Sequence, residues 1–222
     1  MAYTRTTWQD YPNTTTAITA ARLNNIEAGL VGLDRQIGTY TNEAARDAAI
    51  SSPTEGMMAY LTAPTVPAAT GTNTFLPTGI TTVYNGSVWV CVTPVFAYSG
   101  TSGTTTSTSY VTTLTGDTTA ISATSVTGTT ALIRGEITAN LAATATISVA
   151  LSVSGATTLA AGGTGSIVSS FALTVAGNAF TFPVASFVHG LTAGTNTFTL
   201  NYKTNASTAT FTYRSLSVQG IA

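Results

Sequence analysis

The sequence predicts a mainly β protein: an N-terminal α-helix that forms a short coiled coil with copies of itself, a small β-hairpin linker module, and a C-terminal antiparallel β-sandwich of the jelly-roll kind. Three observations predict it. Ten of the fifteen charged side chains fall within residues 1 to 56. Apolar residues recur at helical spacing inside that segment, and beyond it they alternate with polar ones. Gly and Asn-Gly steps then punctuate the alternating runs. A chain of 222 residues also exceeds the usual single-domain size of roughly 100 to 150. The predicted divisions are residues 1–56 (anchoring segment and helix), 57–98 (β linker module), 99–109 (flexible linker) and 110–222 (sandwich head).

The helix is placed by Leu23, Ile26, Leu30, Leu33, Ile37 and Tyr40, which recur at spacings of 3, 4, 3, 4 and 3 behind the N-cap hydroxyls of Thr14 to Thr16 and Thr19. Such a stripe is narrower than the face a helix buries on a globular core, so it predicts helices meeting between chains, the alternative being an amphipathic helix packed on its own β domain. In this frame Arg22 at g faces Glu27 at e of a neighbouring helix, an interchain ion pair. Helices this short are marginal alone, so other contacts must help hold the oligomer.

Asn42 to Ile50 reads as a second short helix, capped by Asn42 or Thr41 and stopped at Pro53. Strands at Met57–Leu61, Thr81–Tyr84 and Val88–Val92 follow, the last two joined across Asn85-Gly86. This module has too little core to stand alone and should lean on neighbouring chains or modules. Ser99 to Ser109, rich in Gly, Ser and Thr, reads as a linker.

In the head, alternation is cleanest from Ala145 to Val153, and similar runs occupy 119–127, 131–138, 166–175, 179–188, 196–203 and 208–218. Apolar parity changes between Tyr213 and Leu216, which predicts a bulge near Arg214. The Thr-rich strands lack Lys gatekeepers, so their edges look open to pairing unless oligomerisation covers them.

Composition excludes several functions. With 7% charged residues and a net charge of −1, the chain lacks the Lys/Arg clusters that neutralise phosphates, so nucleic acid is not an expected partner. Membrane insertion is not expected either, since no run approaches the ~18 apolar residues of a span. Met1 to Thr6 has no apolar signal region, and assembly in the cytoplasm is the expectation. One cysteine, Cys91, and one histidine, His189, leave no thiolate zinc site and no multi-His metal site within one chain, and no cofactor is expected.

No catalytic set emerges. Glycoside cleavage needs two carboxylates about one bond, and the head offers Asp117 and Glu136. Asp117 in Gly-Asp-Thr reads as an Asx-turn residue, Glu136 with nearby Arg134 as a local or interchain ion pair, His189 as a turn or subunit-contact residue, and Cys91 as a buried thiol. Gly162-Gly163-Thr164-Gly165 lacks the Lys-Ser/Thr of a P-loop and reads as a hairpin tip. A sugar site would need exposed aromatics with polar neighbours, and the sequence alone singles none out. Loops 155–165 and 204–208 are the candidates for the tip of the head.

Trp8-Gln9-Asp10 with Ala17-Ile18-Thr19-Ala20-Ala21-Arg22-Leu23-Asn24-Asn25-Ile26-Glu27-Ala28-Gly29 resembles the opening of bacteriophage tail-fibre, baseplate and minor tail proteins. Arg46 to Ile50, Pro53 to Met57 and Val83 to Trp89 are similar to the linking module of that class in phages of actinobacteria, and His189 to Gly194, Phe198 to Tyr202 and Arg214 to Val218 to the last strands of a trimeric jelly-roll head. The resemblance implies a non-enzymatic homotrimer in the virion, attached through Trp8, Asp10 and Tyr11 to other tail, baseplate or capsid proteins, its head facing the host surface and a host cell-wall glycan. A capsid decoration, head fibre or minor tail protein without receptor contact is the alternative, and a depolymerase a more distant one. Long fibre shafts have many heptads, which this chain lacks, so a short fibre, baseplate protein or head fibre fits the resemblance better.

Overall fold

The computed structural model describes residues 20–164, 168–173 and 176–222. Helix α1 (Ala20–Gln36) runs directly into β1 (Ile37–Tyr40), and α2 (Glu43–Ala49) leads on to β2 (Met58–Leu61). The short strands β3 (Ala68–Thr70), β4 (Asn73–Phe75), β5 (Ile80–Tyr84), β6 (Trp89–Cys91), β7 (Val95–Ser99) and β8 (Gly103–Thr105) follow. Then come the long ones: β9 (Ser122–Thr127), β10 (Thr130–Leu141), β11 (Ala145–Gly155), β12 (Val168–Leu173), β13 (Phe180–His189), β14 (Gly194–Thr204) and β15 (Ala209–Ile221).

The helix ends one turn earlier than its apolar spacing predicts. Ile37 and Tyr40 leave the helical seam because Ile37–Tyr40 pairs in parallel with Met58–Leu61, an arrangement that trades helical hydrogen bonds for a sheet ladder. Parallel strands need a crossover, and α2 supplies it. Its Asn42 cap accepts the Ala45 N–H at 3.0 Å, as the sequence predicts. Strands β2, β5 and β6 complete a four-stranded sheet, order β1-β2-β5-β6, whose small core includes Ile50, Ala59, Trp89, Leu61 and Ile80, with Tyr40 packed against it. Under α2 the Arg46 guanidinium lies 4.7 Å from the centre of the Trp89 ring and pairs with Asp47 at 2.8 Å. The β5–β6 turn is four residues long, with Gly86 at φ +88 and the Asn85 side chain accepting the N–H groups of Ser87 and Val88.

Each of the seven alternating runs of the predicted head contains a strand. Two antiparallel sheets face each other, one ordered β13-β10-β15-β7-β4 and the other β12-β11-β14-β9-β3. Taken in chain order, β7, β9, β10, β11, β12, β13, β14 and β15 form two four-stranded layers, β7-β15-β10-β13 and β9-β14-β11-β12, which is the doubly wound Greek-key connectivity of a jelly roll. Its first strand, β7, belongs to the stretch predicted as a separate linker module. The predicted partition therefore needs correction. β3, β4 and β7, from within 57–98, pair into the two large sheets, and β8, from within 99–109, pairs with β15. The apolar sides of β7 (Val95 and Ala97) are fully buried only against β15 and the opposing sheet, which is why they join the sandwich.

Between the sheets lies one core that includes Ile121, Ile133, Ile137, Leu141, Ile147, Leu151, Phe198, Leu200, Phe211 and Leu216, all at most 1% exposed. Burying a side chain of this size stabilises by roughly 1.5–3 kcal/mol before conformational entropy is subtracted. The small sheet seats on one end of this body. A Cβ at Gly220 would meet Val90 Cγ1 at 2.6 Å and the Cys91 carbonyl at 2.7 Å, so only glycine lets β6 approach β15. Gln219 Nε2–H adds a bond to the Val92 carbonyl at 2.8 Å.

A fragment starting at residue 110 lacks β7, β8 and β4 and uncovers one side of β15. It should show no cooperative thermal transition and no near-UV circular dichroism, whereas one starting at residue 66 should retain both. Equal melting of the two fragments would contradict the assignment of β7 to the sandwich.

Candidate binding face

The chemistry of the sandwich begins with its central strand. β15 pairs with β10 so that Tyr213 faces Thr138 but Phe211 faces Ala139, leaving Thr212 as an extra residue: a β-bulge, close to the predicted position. Phe211 and Arg214 both point inward as a result, and Arg214 is completely buried. Its guanidinium pairs with Asp117, bonds the Thr101 carbonyl at 3.3 Å and lies 5.5 Å from the centre of the Tyr202 ring. Ser99 Oγ–H donates to Asp117 Oδ2 at 2.6 Å, and Thr72 Oγ1 lies 2.7 Å from Ser99 Oγ. The Thr119 N–H donates to Asp117 Oδ1 at 3.0 Å, which is the Asx turn predicted there.

Burial alone would raise the Asp117 carboxyl. The bonds from Ser99 and Thr119 and the Arg214 charge outweigh it, so the net shift is downward. Burial likewise opposes, without overcoming, the bonds that Glu43 accepts from the N–H groups of Thr65 and Val66 and the Thr65 hydroxyl, and its carboxyl also lies below its ordinary value. Burial pushes the Tyr202 phenol and the Cys91 thiol up.

The two outer faces of the sandwich differ in kind. On the five-stranded sheet, cross-strand neighbours are hydroxyls and amides: Ser148 with Ser170 at 2.8 Å, Thr124 with Thr197 at 2.8 Å, and Asn201 with Ser152 at 2.9 Å. Its Lys203 is held 4.5 Å from the centre of the Tyr110 ring. The six-stranded sheet instead turns rings outward. Phe96 and Tyr98 of β7 alternate with buried Val95, Ala97 and Ser99. Phe75 is paired with Phe96, and Asn73 with Tyr98, across the β4–β7 ladder. Phe96 and Tyr98 have ring centres 5.6 Å apart, and Tyr98 and Tyr213 6.0 Å, so the three rings form one tilted platform. Phe75 beside them is 66% exposed. Arg134 lies in the same row, joined through Ser217 to Phe96, and Glu136 lies two residues along the same strand face.

The predicted functional residues are scattered over the molecule. Trp8, Asp10 and Tyr11 lie outside the described residues, as do the side chains of Leu33 and Ile37. Leu23 is half-buried on α1, while Ile26 and Leu30 are exposed; Tyr40 sits on the small core. Arg22 is exposed, and Glu27 is only 5% exposed, covered by its own chain. Asp117 and Glu136 do not share a site, one lying inside the sandwich and the other on its outer face. Arg134 and Glu136 do share a face as predicted, yet form no ion pair with each other among the described residues. His189 is exposed at the end of β13, stacked on Phe187 with ring centres 6.1 Å apart and 3.3 Å from the Thr130 hydroxyl. Cys91 is buried.

The two predicted tip loops lie at opposite ends of the sandwich. The strand directions put 205–208 beside 142–144, away from the small sheet, and the loop after β11 at the end that carries the small sheet. Two further things were missed at the level of sequence. The Arg214–Asp117 pair spans 97 positions, and only the parity change hinted at it. The outward rings of β7 were hidden in a run taken as linker.

Neither a protein-family model nor a curated protein matches the sequence. Among solved structures, the chain is similar to one of infectious bursal disease virus, Gx strain, at 13% identity and TM-score 0.37, over 63% of this chain and 41% of that one. It is similar to TmCBM61 in complex with β-1,4-galactotriose at 12% identity and TM-score 0.26, over 60% and 72% of the two chains. The enzymatically active domain of bacteriophage CBA120 tailspike protein 4 is similar at 14% identity and TM-score 0.26, over 54% of this chain and 19% of that one. The chain thus spans about two fifths of the viral chain and about one fifth of the tailspike chain. Similarity this low leaves function to the chain's own residues.

A carboxylate whose folded pKa lies below its unfolded value adds stability above the unfolded pKa and loses it as pH falls through the folded one. For Asp117 and Glu43 that window opens near pH 4–5 and extends below it. Asp117→Asn should cost on the order of 3–5 kcal/mol at pH 7, because it leaves Arg214 buried beside a neutral group. The variant should also lose less further stability than the parent on acidification. Urea unfolding at pH 7 and pH 3.5 measures both, and parallel losses in parent and variant would refute the linkage.

Proposed function

We propose that this chain is a non-enzymatic structural protein of a phage virion, a homotrimeric short fibre or baseplate appendage whose N-terminal residues dock on the particle and whose jelly-roll head contacts the host surface. The observation that carries this reading is on α1. Ile26 and Leu30, spaced for a helical seam, are 58% and 45% exposed among the described residues. Apolar side chains in register on a surface helix are relieved of water when identical helices meet. The resemblance of the same helix to phage tail-fibre and baseplate openings supports the virion setting, and repeated heads would turn weak surface contacts into avidity.

A purely architectural role is the second reading, and one observation favours it. The loops at the end of the sandwich away from the small sheet, 142–144 and 205–208, carry only Ala, Thr, Asn and Ser, with no large side chain to grip a receptor. Binding of the full chain to whole host cells would separate the two readings.

Light scattering of the full chain at micromolar concentration should give three times 22.5 kDa. The double substitution Ile26→Asp and Leu30→Asp should lower that mass while leaving the melting of the sandwich unchanged. A parent that is monomeric, or a variant that remains trimeric, would refute the helical seam.

A further inference from the structure

The geometry points to a carbohydrate-binding site on the outer face of the six-stranded sheet, built from Phe75, Phe96, Tyr98 and Tyr213 with Arg134 and Glu136 beside them, for a neutral polysaccharide. This deepens the reading of the head as a host-contacting surface, and rests on it only for where the sugar comes from.

The site is made by register. Two cross-strand steps, Phe75 to Phe96 and Asn73 to Tyr98, place two aromatic rings, Phe75 and Phe96, and a side-chain amide around Tyr98. The bulge at Thr212 turns Tyr213 outward to meet Tyr98. None of the four rings belongs to the sandwich core; Phe75 is exposed, and Phe96, Tyr98 and Tyr213 are half-buried. An aromatic face offers a pyranose ring the apolar contact that its axial C–H groups need, and a phenol or amide at the rim takes its hydroxyls.

The charges choose the ligand class. Arg134 and Glu136 stand exposed on one strand face, and the ion pairs of the described residues, Arg46–Asp47 and Arg214–Asp117, use neither. An apolar protein surface or a hydrocarbon laid over this face would strip water from both charges without replacing it, at high cost. A polyol answers both, since its hydroxyls accept from the guanidinium and donate to the carboxylate. One cation beside one anion gives the face no net sign, so a neutral chain suits it better than an anionic one. The opposite sheet has hydroxyls and amides already paired to one another, and offers no such platform among the described residues.

Affinity electrophoresis of the full chain tests this, in native gels containing arabinogalactan, galactomannan or dextran, with dextran sulfate as the anionic comparison. At least one neutral gel should retard the protein. Tyr98→Ala and the edge substitution Phe75→Ser should each weaken that retardation about tenfold, while Lys203→Ala on the opposite face should leave it unchanged. Near-UV circular dichroism identifies any variant that has lost its fold, and Phe75→Ser, on an exposed three-residue strand, serves if Tyr98→Ala does not fold. Retardation by dextran sulfate alone, by no gel, or equally in parent and ring variants would overturn the assignment. So would a fall in oligomeric mass on losing Phe75 with sugar binding untouched, since the face would then be a subunit contact. The mass of the parent separates this from the wider reading: a trimer that no gel retards sinks the sugar face alone, and a monomer that binds sugar sinks the trimeric appendage alone.

Discussion

One extra residue in β15 decides which way the centre of this molecule faces. Up to Phe211 the strand turns odd-numbered residues inward; beyond Thr212 the even-numbered Arg214, Leu216 and Val218 are inside. Without the bulge, Ser215 and Ser217 would occupy the core and Leu216 and Val218 would face water, an inversion that no neighbouring strand could correct. The same shift moves Tyr213 from the interior to the outer face. The buried ion pair and the aromatic platform are therefore two results of a single backbone irregularity.

The cost of bringing a guanidinium inside is met by segments that are far apart in sequence. Asp117 comes from the loop before β9, Ser99 from the end of β7, the Thr101 carbonyl from the stretch before β8, and Thr72 from the turn after β3. Each accepts or donates within one chain of bonds, so these segments are fixed to the central strand by polar contacts as well as by the apolar burial of Leu114, Ile121, Val95 and Ala97. Arg214 Nε and Nη1 find no acceptor among the described residues, which makes the pair expensive relative to an apolar replacement. What the pair adds is selectivity of arrangement: Thr-rich strands of similar pattern could slide past each other, but only one register brings Arg214 to Asp117.

Much of the head was legible in the sequence because its strands are long and alternate. Ala145 to Val153 and its six companions read correctly, and the parity change near Arg214 announced the bulge. The β7 strand was not legible as part of the sandwich. Five residues beside Pro94 carry too little periodicity to reveal a partner more than a hundred positions away. The helix was overextended for a related reason: Ile37 and Tyr40 continue the 3–4 spacing, but spacing does not register the competing ladder with Met58–Leu61. The candidate face lay beyond sequence reasoning, since Phe75, Phe96, Tyr98, Tyr213 and Arg134 come from four strands and become neighbours only through register. Their residue types were visible; their common side was not.

The sheet edges explain why recognition belongs on a face. The Thr-rich strands looked open to edge pairing, yet three of the four edges are poor templates. β3 and β4 are three residues long, and β13 carries Pro183 at mid-strand, where the ring removes a donor from the open side. Strand addition is thereby disfavoured at those edges without a single lysine. Contacts with other molecules then fall to side chains that project from the sheets, and the two sheets are unequal in this. One pairs Ser148 with Ser170, Thr124 with Thr197 and Asn201 with Ser152 across its own strands, so those hydroxyls and amides are already satisfied. The other leaves rings and two opposite charges facing water, groups that gain most from a ligand carrying both C–H faces and hydroxyls.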